Sequence, residues 1–368
     1  MSRGPIIHGV LLVAALAFAY QTWTRDKTVK VDRGEFVLWD GKPGDILSID
    51  YDVRDKRTTH IERRTDEHGG YLWATVTRTT VIPKKRPSPP EPAAPEGLDA
   101  GAAPAEPEPA VPPVDEEPPE IKTTTKEFPV GDVGEELFKG LAPMHALRDL
   151  GTLDDEQRKE YELAEADTQL TVHFKSGDKN LVLGGKVYGG SHRYAVDSAT
   201  GKAYIIPGET LQSLAGGDSV LRDGKIFPFE DAEVATATIK TPLAERKLVR
   251  GEKEGEHGTK TVTWALAETP GEDDQTLANF MSRVDKLTPS DYEPSMSKQG
   301  LTEVMHVEYA GKDGKPLGHL ELFKKPTDRE GVFEYYVFSE RTRVIAKTHP
   351  GAAKRVDKDL EQLFAPPE

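Results

Sequence analysis

Two stretches of alternating apolar and polar residues open the two halves of the chain. Residues 45–53 place Ile46, Leu47, Ile49, Tyr51 and Val53 as candidate core positions, and residues 234–240 alternate with a period of two. Period-two alternation predicts half-buried β-strands. Each opening strand leads to a strand that ends near a tryptophan, at 71–74 around Trp73 and at 262–265 around Trp264. A helix follows in each half, predicted over 135–150 and 276–287. Two strands about a glycine-containing turn come next, at 170–174 and 180–183 in the first half and at 303–309 and 318–323 in the second. Then come a tyrosine strand (193–196 and 334–337), a further strand (203–206 and 343–347) and a closing helix (208–214 and 354–364).

The spacing supports an internal repeat. Tyr194 and Tyr335 lie 141 positions apart, and Phe138 and Phe280 lie 142 apart, but Trp73 and Trp264 lie 191 apart. Most of that excess is a proline-dominated segment, 83–119, which holds 13 prolines and eight acidic residues. With almost no large apolar side chains it cannot offset its own ordering entropy, and extended, solvated chain is expected. It therefore interrupts the first repeat and does not separate two domains. The expected organisation is an anchor and flank at 1–30, a first repeat at 31–230 containing the insertion, and a second repeat at 231–368. Residues 221–229 form the connection between the repeats. The expected class is α+β, an N-terminal transmembrane helix followed by two tandem sheet-plus-helix repeats.

The anchor rests on Ile6 to Tyr20, fifteen residues without a formal charge. As a helix they span roughly 22 Å, and Pro5 through Trp23 about 28 Å, near the ~30 Å hydrocarbon core. Tyr20 and Trp23 suit the interface. Ala17-Phe18-Ala19 also fits a signal-peptidase site, so cleavage is the competing outcome. Either way the body is expected on the outer side of the cytoplasmic membrane.

Composition narrows the chemistry. Lys plus Arg number 48 against 63 Asp plus Glu, a net charge of −15, which argues against nucleic acid as a partner. The dense basic run Lys84-Lys85-Arg86 leads directly into the prolines. There is no cysteine, which removes disulfides, thiolate metal sites and thiol catalysis.

The remaining clusters fit bland roles. The acidic runs Asp154-Asp155-Glu156 and Glu272-Asp273-Asp274 lack the alternating ligands of a calcium loop and suit helix starts. The ten histidines include no zinc-type pair at helical spacing, and His173 and His306 fall on matching strands. Gly184-Gly185-Lys186 and Gly189-Gly190-Ser191-His192 meet neither the P-loop nor the nucleophile-elbow spacing and read as turn glycines. Tyr194, Tyr335 and Tyr336 suit a core or a ligand groove. No catalytic, cofactor-binding or metal residue is assigned, and no cofactor is expected.

The anchor, the tryptophan strand, Leu-Arg-Asp-Leu-Gly (147–151), Gly-Lys-Ala-Tyr-Ile-Ile-Pro (201–207) and Leu-Arg-Asp-Gly-Lys-Ile-Phe-Pro-Phe (221–229) together resemble the bacterial membrane-anchored family catalogued as domain of unknown function 4340. The resemblance runs from about Asp45 to Phe364, apart from the insertion, which departs from the family's pattern. It implies an accessory role beside ABC-type transporter components of the gliding-motility class, with a permease or auxiliary subunit as partner. The expected function is thus a membrane-anchored, non-enzymatic envelope protein. The competing classes are an exported glycan or ligand binder using the tyrosines, and an exported hydrolase with a site between the repeats.

Overall fold

The computed structural model describes residues 36–82, 120–254 and 260–364. In chain order the first half contains β1 (Phe36–Trp39), β2 (Ile46–Val53), β3 (Arg57–Asp66), β4 (Gly69–Ile82), β5 (Glu120–Pro129), α1 (Asp132–Leu141), β6 (Met144–Ala146), β7 (Arg148–Gly151), α2 (Asp155–Glu160), β8 (Thr168–Phe174), β9 (Gly177–Lys186), β10 (Arg193–Asp197), β11 (Ala203–Ile206), α3 (Gly208–Gly216) and α4 (Asp218–Leu221). The second half contains β12 (Val234–Lys240), β13 (Glu245–Glu254), β14 (Lys260–Leu266), α5 (Gln275–Val284), β15 (Pro289–Tyr292), β16 (Thr302–Gly311), β17 (Pro316–Pro326), β18 (Phe333–Ser339), β19 (Ala346–Thr348) and α6 (Pro350–Leu363).

These strands form three antiparallel sheets. One has nine strands in the order β5-β4-β3-β2-β8-β9-β10-β11-β7, and one has eight in the order β14-β13-β12-β16-β17-β18-β19-β15. The small third sheet pairs β1 with β6. The two large sheets follow the same path strand for strand, except that β5 has no counterpart beyond β14. One contiguous buried core runs through both halves.

The α+β expectation is corrected here: strands hold 49% of the residues and helices 21%, so the protein is mainly β. The predicted helix over 135–150 accounts for part of the error. Its apolar stripe Leu137, Phe138 and Leu141 is buried as expected, but the helix stops at Leu141. Pro143 cannot continue a helix, and residues 144–151 become β6 and β7. Trp39 donates its indole N–H to the Leu141 carbonyl at 2.7 Å, satisfying a group that the ended helix leaves without a partner. The transmembrane helix written into that class has no counterpart among the described residues, where no helix is long and apolar enough to cross a membrane. Ile6–Tyr20 itself lies outside the described residues.

Core positions follow the alternation with one informative exception. Ile46, Ile49 and Tyr51 are buried, whereas Leu47 is 50% exposed. The pairing of β2 with β8 shifts register between Ile46 and Ser48, so a bulge resets the alternation and turns Leu47 outward. In α5 the stripe Leu277, Phe280, Met281 and Val284 keeps the i, i+3, i+4, i+7 spacing of a helix with one buried face. Trp73 and Trp264 are both buried.

Residues 83–119 join β4 to β5, and these strands pair as far as Ile82 opposite Glu120. The ends of the segment are therefore neighbours across one hairpin. The connection after α4 also packs into the second half: Phe227, edge-on, and Phe229, tilted, lie with ring centroids 5.3 and 5.1 Å from Tyr309.

Candidate functional site

Four groupings bring chemistry together. The first is the seam between the halves, where edge strand β5 lies beside edge strand β15. Lys126 Nζ donates to Asp291 at 3.0 Å, and the Arg222 guanidinium donates to the Ser290 carbonyl. Behind them sits Asp223, 5% exposed. Its carboxylate accepts Arg341 Nε at 2.7 Å and the Lys225 backbone N–H at 3.0 Å, while its carbonyl accepts the Tyr292 hydroxyl at 3.0 Å. Arg341 reaches on to Asp132 at 2.9 Å, which also accepts Lys225 Nζ at 2.9 Å. Hydrogen bonds from Lys225 and Arg341 hold the Asp132 carboxyl below the usual carboxylate range. Burial, then the nearby Asp223 charge, push the Tyr292 hydroxyl far up, so it stays a neutral donor. Each of these groups is occupied by another, which suits a structural clasp better than a hydrolytic centre.

The second grouping is a pair of histidine–carboxylate clusters on equivalent strands. His173 on β8 bridges Asp178 and Asp50, each at 2.8 Å, and Asp50 also meets His60 at 2.6 Å. Burial works against the charge on His173, but the bonds to Asp178 and Asp50 outweigh it and raise its pKa. His306 on β16 stacks on His319 with centroids 5.1 Å apart. The bond from His319 Nδ1 to Glu340 raises the His319 pKa against its burial. These clusters can exchange protons, but neither positions a nucleophile beside a base.

The third is the outer end of β4 and β5. Pairing of β4 with β3 runs only as far as Arg78, opposite Arg57. Residues 79–82 and 120–123 continue as a two-stranded ribbon beyond it. Val81, Ile82 and Ile121 on that ribbon are 55%, 40% and 66% exposed. Val81 faces Ile121 directly across the ribbon and Ile82 points to the opposite face, so both faces carry exposed apolar side chains, candidates for a contact. The fourth is a cleft at the root of the ribbon, lined by Val53, Lys56, Arg57, Arg78, Thr79 and Thr80.

The residues singled out from the sequence fall mostly into structural roles. Asp154 caps α2 in a reciprocal capping box with Gln157, and Asp274 caps α5 through the Thr276 and Leu277 N–H groups. Gly189 takes a positive φ in a turn. Gly184 and Gly185 lie within β9, contrary to their expected turn role; a Cβ on Gly184 would come 2.3 Å from the Tyr161 carbonyl oxygen. Gly184 is glycine because another backbone passes there, whereas a Cβ on Gly185 would meet the Glu162 side chain.

Tyr335 and Tyr336 are buried, each 3% exposed. Burial and then a bond to Glu334 push Tyr336 up to about 12. Tyr194 is half-buried and stacked on Tyr161 at 4.1 Å. The three tyrosines therefore do not form one groove. Asp223 and Arg341 escaped notice in the sequence, because a buried ion pair 118 positions apart leaves no local pattern. Among the described residues no group of three or more His, Asp or Glu side chains is placed to hold a metal ion.

Residues 135–304 match a family model described as "Domain of unknown function (DUF4340)". The stretch is similar to that family from α1 through the start of β16, just under half of the chain, and it crosses the seam. No curated protein and no solved structure gives a significant match.

Proposed function

We propose that this protein is a non-enzymatic envelope component, held at the cytoplasmic membrane by its 5–23 stretch, that acts by protein contact within an ABC-type transport assembly. The observation that carries the proposal is the β4–β5 ribbon with Val81, Ile82 and Ile121 exposed at its outer end. A partner covering these side chains would remove their apolar surface from water at about 25 cal/mol per Å². The resemblance to the domain of unknown function 4340 supplies the transport context. Anchoring in the same membrane as a permease raises the local concentration of one for the other, so modest contacts suffice. The buried Tyr335 and Tyr336 weigh against a glycan groove, and the mutually paired groups of the seam weigh against a hydrolase.

The test is to crosslink full-length protein briefly in its native membrane, solubilise it in mild detergent and identify its companions by mass spectrometry. ABC-type permease subunits are expected, and they should be lost when residues 1–25 are replaced by a cleavable signal. A protein recovered without transport subunits would overturn the proposal.

A further inference from the structure

The cleft at the ribbon root holds about 310 Å³; three of its six lining residues, Lys56, Arg57 and Arg78, are cationic, though most of its exposed wall is apolar. Arg57 and Arg78 sit directly opposite each other across β3 and β4. Like charges at directly opposed positions destabilise a sheet unless something sits between them. The two guanidiniums converge: a Cβ on Gly217 would lie 3.1 Å from Arg57 Nη1 and 3.1 Å from Arg78 Nη2. Gly217 itself has φ +62, a conformation suited to glycine, so the chain gives way just where the arginines meet.

Two of the three cations are paired with carboxylates, which leaves Arg57, among the described residues, as the one without an ion pair of its own. Asp218 pairs with Arg78 at 2.5 Å and lies 3.9 Å from Lys126, which is itself paired with Asp291. Asp167 pairs with Lys56 at 2.9 Å. Among the described residues, no carboxylate comes within ion-pair distance of Arg57, and its buried Nε–H has no hydrogen-bond partner. Burial is the main cause that holds the Arg57 pKa below its ordinary value; Tyr51 and Asp218 oppose the shift and repulsion from Arg78 adds to it. A buried donor left without a partner is costly, and more so when it is charged.

We propose that this cleft binds a phosphate ester, with the Arg57 fork as its principal contact and with Arg78, Lys56, Thr79 and Thr80 lining it. Guanidinium forks match oxyanions with two parallel N–H bonds. The space beyond a single phosphate, with Val53 on its wall, suits the ester's organic part. The ester would come from a lipid headgroup or from a soluble phosphorylated metabolite. The site stands apart from the transport proposal, since it needs no protein partner.

Calorimetric titration of the full chain in mild detergent and phosphate-free buffer tests this. The probes are inorganic phosphate, sn-glycerol 3-phosphate and dihexanoyl phosphatidylglycerol below its micelle concentration. Saturable binding of at least one probe is expected, weakened about tenfold or more by Arg57→Gln and unchanged by Lys358→Gln on α6. Preference for the monoester would assign a soluble metabolite, and preference for the lipid a headgroup. Arg57→Lys keeps the charge but loses the fork; it should still weaken binding, and it carries the test if Arg57→Gln fails to fold. No saturable binding by any probe, or equal weakening by Lys358→Gln, would overturn the proposal.

Discussion

Removing the Asp223 side chain should separate the seam's buried clasp from its exposed rim. Asp223→Ala deletes a charge-assisted bond from Arg341 Nε at 2.7 Å and a bond from the Lys225 N–H at 3.0 Å, both at a site 5% exposed. The first is worth about 1.5–3 kcal/mol and the second about 1 kcal/mol. The Arg341 side chain is 21% exposed, but it keeps its bond to Asp132, so it is not left wholly uncompensated. The expected loss is therefore about 3 kcal/mol, short of the ~5 kcal/mol seen when a buried charge loses its only partner. Asp132→Ala removes two ion-pair contacts from a carboxylate that is 70% exposed, and there solvent screening limits the loss to under about 1 kcal/mol. Equilibrium urea unfolding of the two variants measures both values. Equal losses, or a loss for Asp223→Ala below about 1 kcal/mol, would refute the assignment of the clasp to Asp223.

Other outcomes follow from named contacts. His319 has its pKa raised from 6.5 by Glu340, so the stability it contributes is complete below 6.5 and is lost as pH rises through the higher folded value. Stability followed from about pH 6 to about pH 9 should fall, and His319→Gln should flatten that fall. Asp132, held low by Lys225 and Arg341, contributes above its ordinary 3.8 and loses that contribution as pH drops through its depressed value; Asp132→Asn should remove this acid-side dependence. Gly184→Ala drives a methyl group into the Tyr161 carbonyl and should cost about 1–3 kcal/mol by thermal unfolding, because a backbone atom cannot step aside. Replacing residues 83–119 by an Asn-Gly turn should leave unfolding cooperative and the midpoint nearly unchanged, since Ile82 and Glu120 are already paired. Loss of cooperativity would contradict the hairpin placement.

Single elements were legible where apolar periodicity is strong: strand β12 begins and ends where alternation predicts, and the stripes of α5 and α6 are continuous. The strand-rich balance was not legible. β3 reads Arg-Thr-Thr-His-Ile-Glu-Arg-Arg-Thr-Asp and buries only Thr59 and Ile61, while β5 buries only Phe128 and Pro129. Their membership of the sheet comes from pairing with β4, a tertiary effect that local pattern does not carry. The same holds for β7 and β15, short edge strands without an apolar run. Chemistry was less legible still. Arg57 and Arg78 are opposed by register, and Asp223 and Arg341 by the seam, so neither pair appears until the strands are aligned.

The central claim is that the β4–β5 ribbon contacts a transport partner, and a site-specific photo-crosslinker tests it most directly. Placed at Ile121, 66% exposed at the ribbon's outer end, it should capture an ABC-type permease or auxiliary subunit in the native membrane. Placed at Leu243, 93% exposed on the turn between β12 and β13, it should not. Capture from Leu243 with none from Ile121, or no transport subunit from either position, would contradict the account.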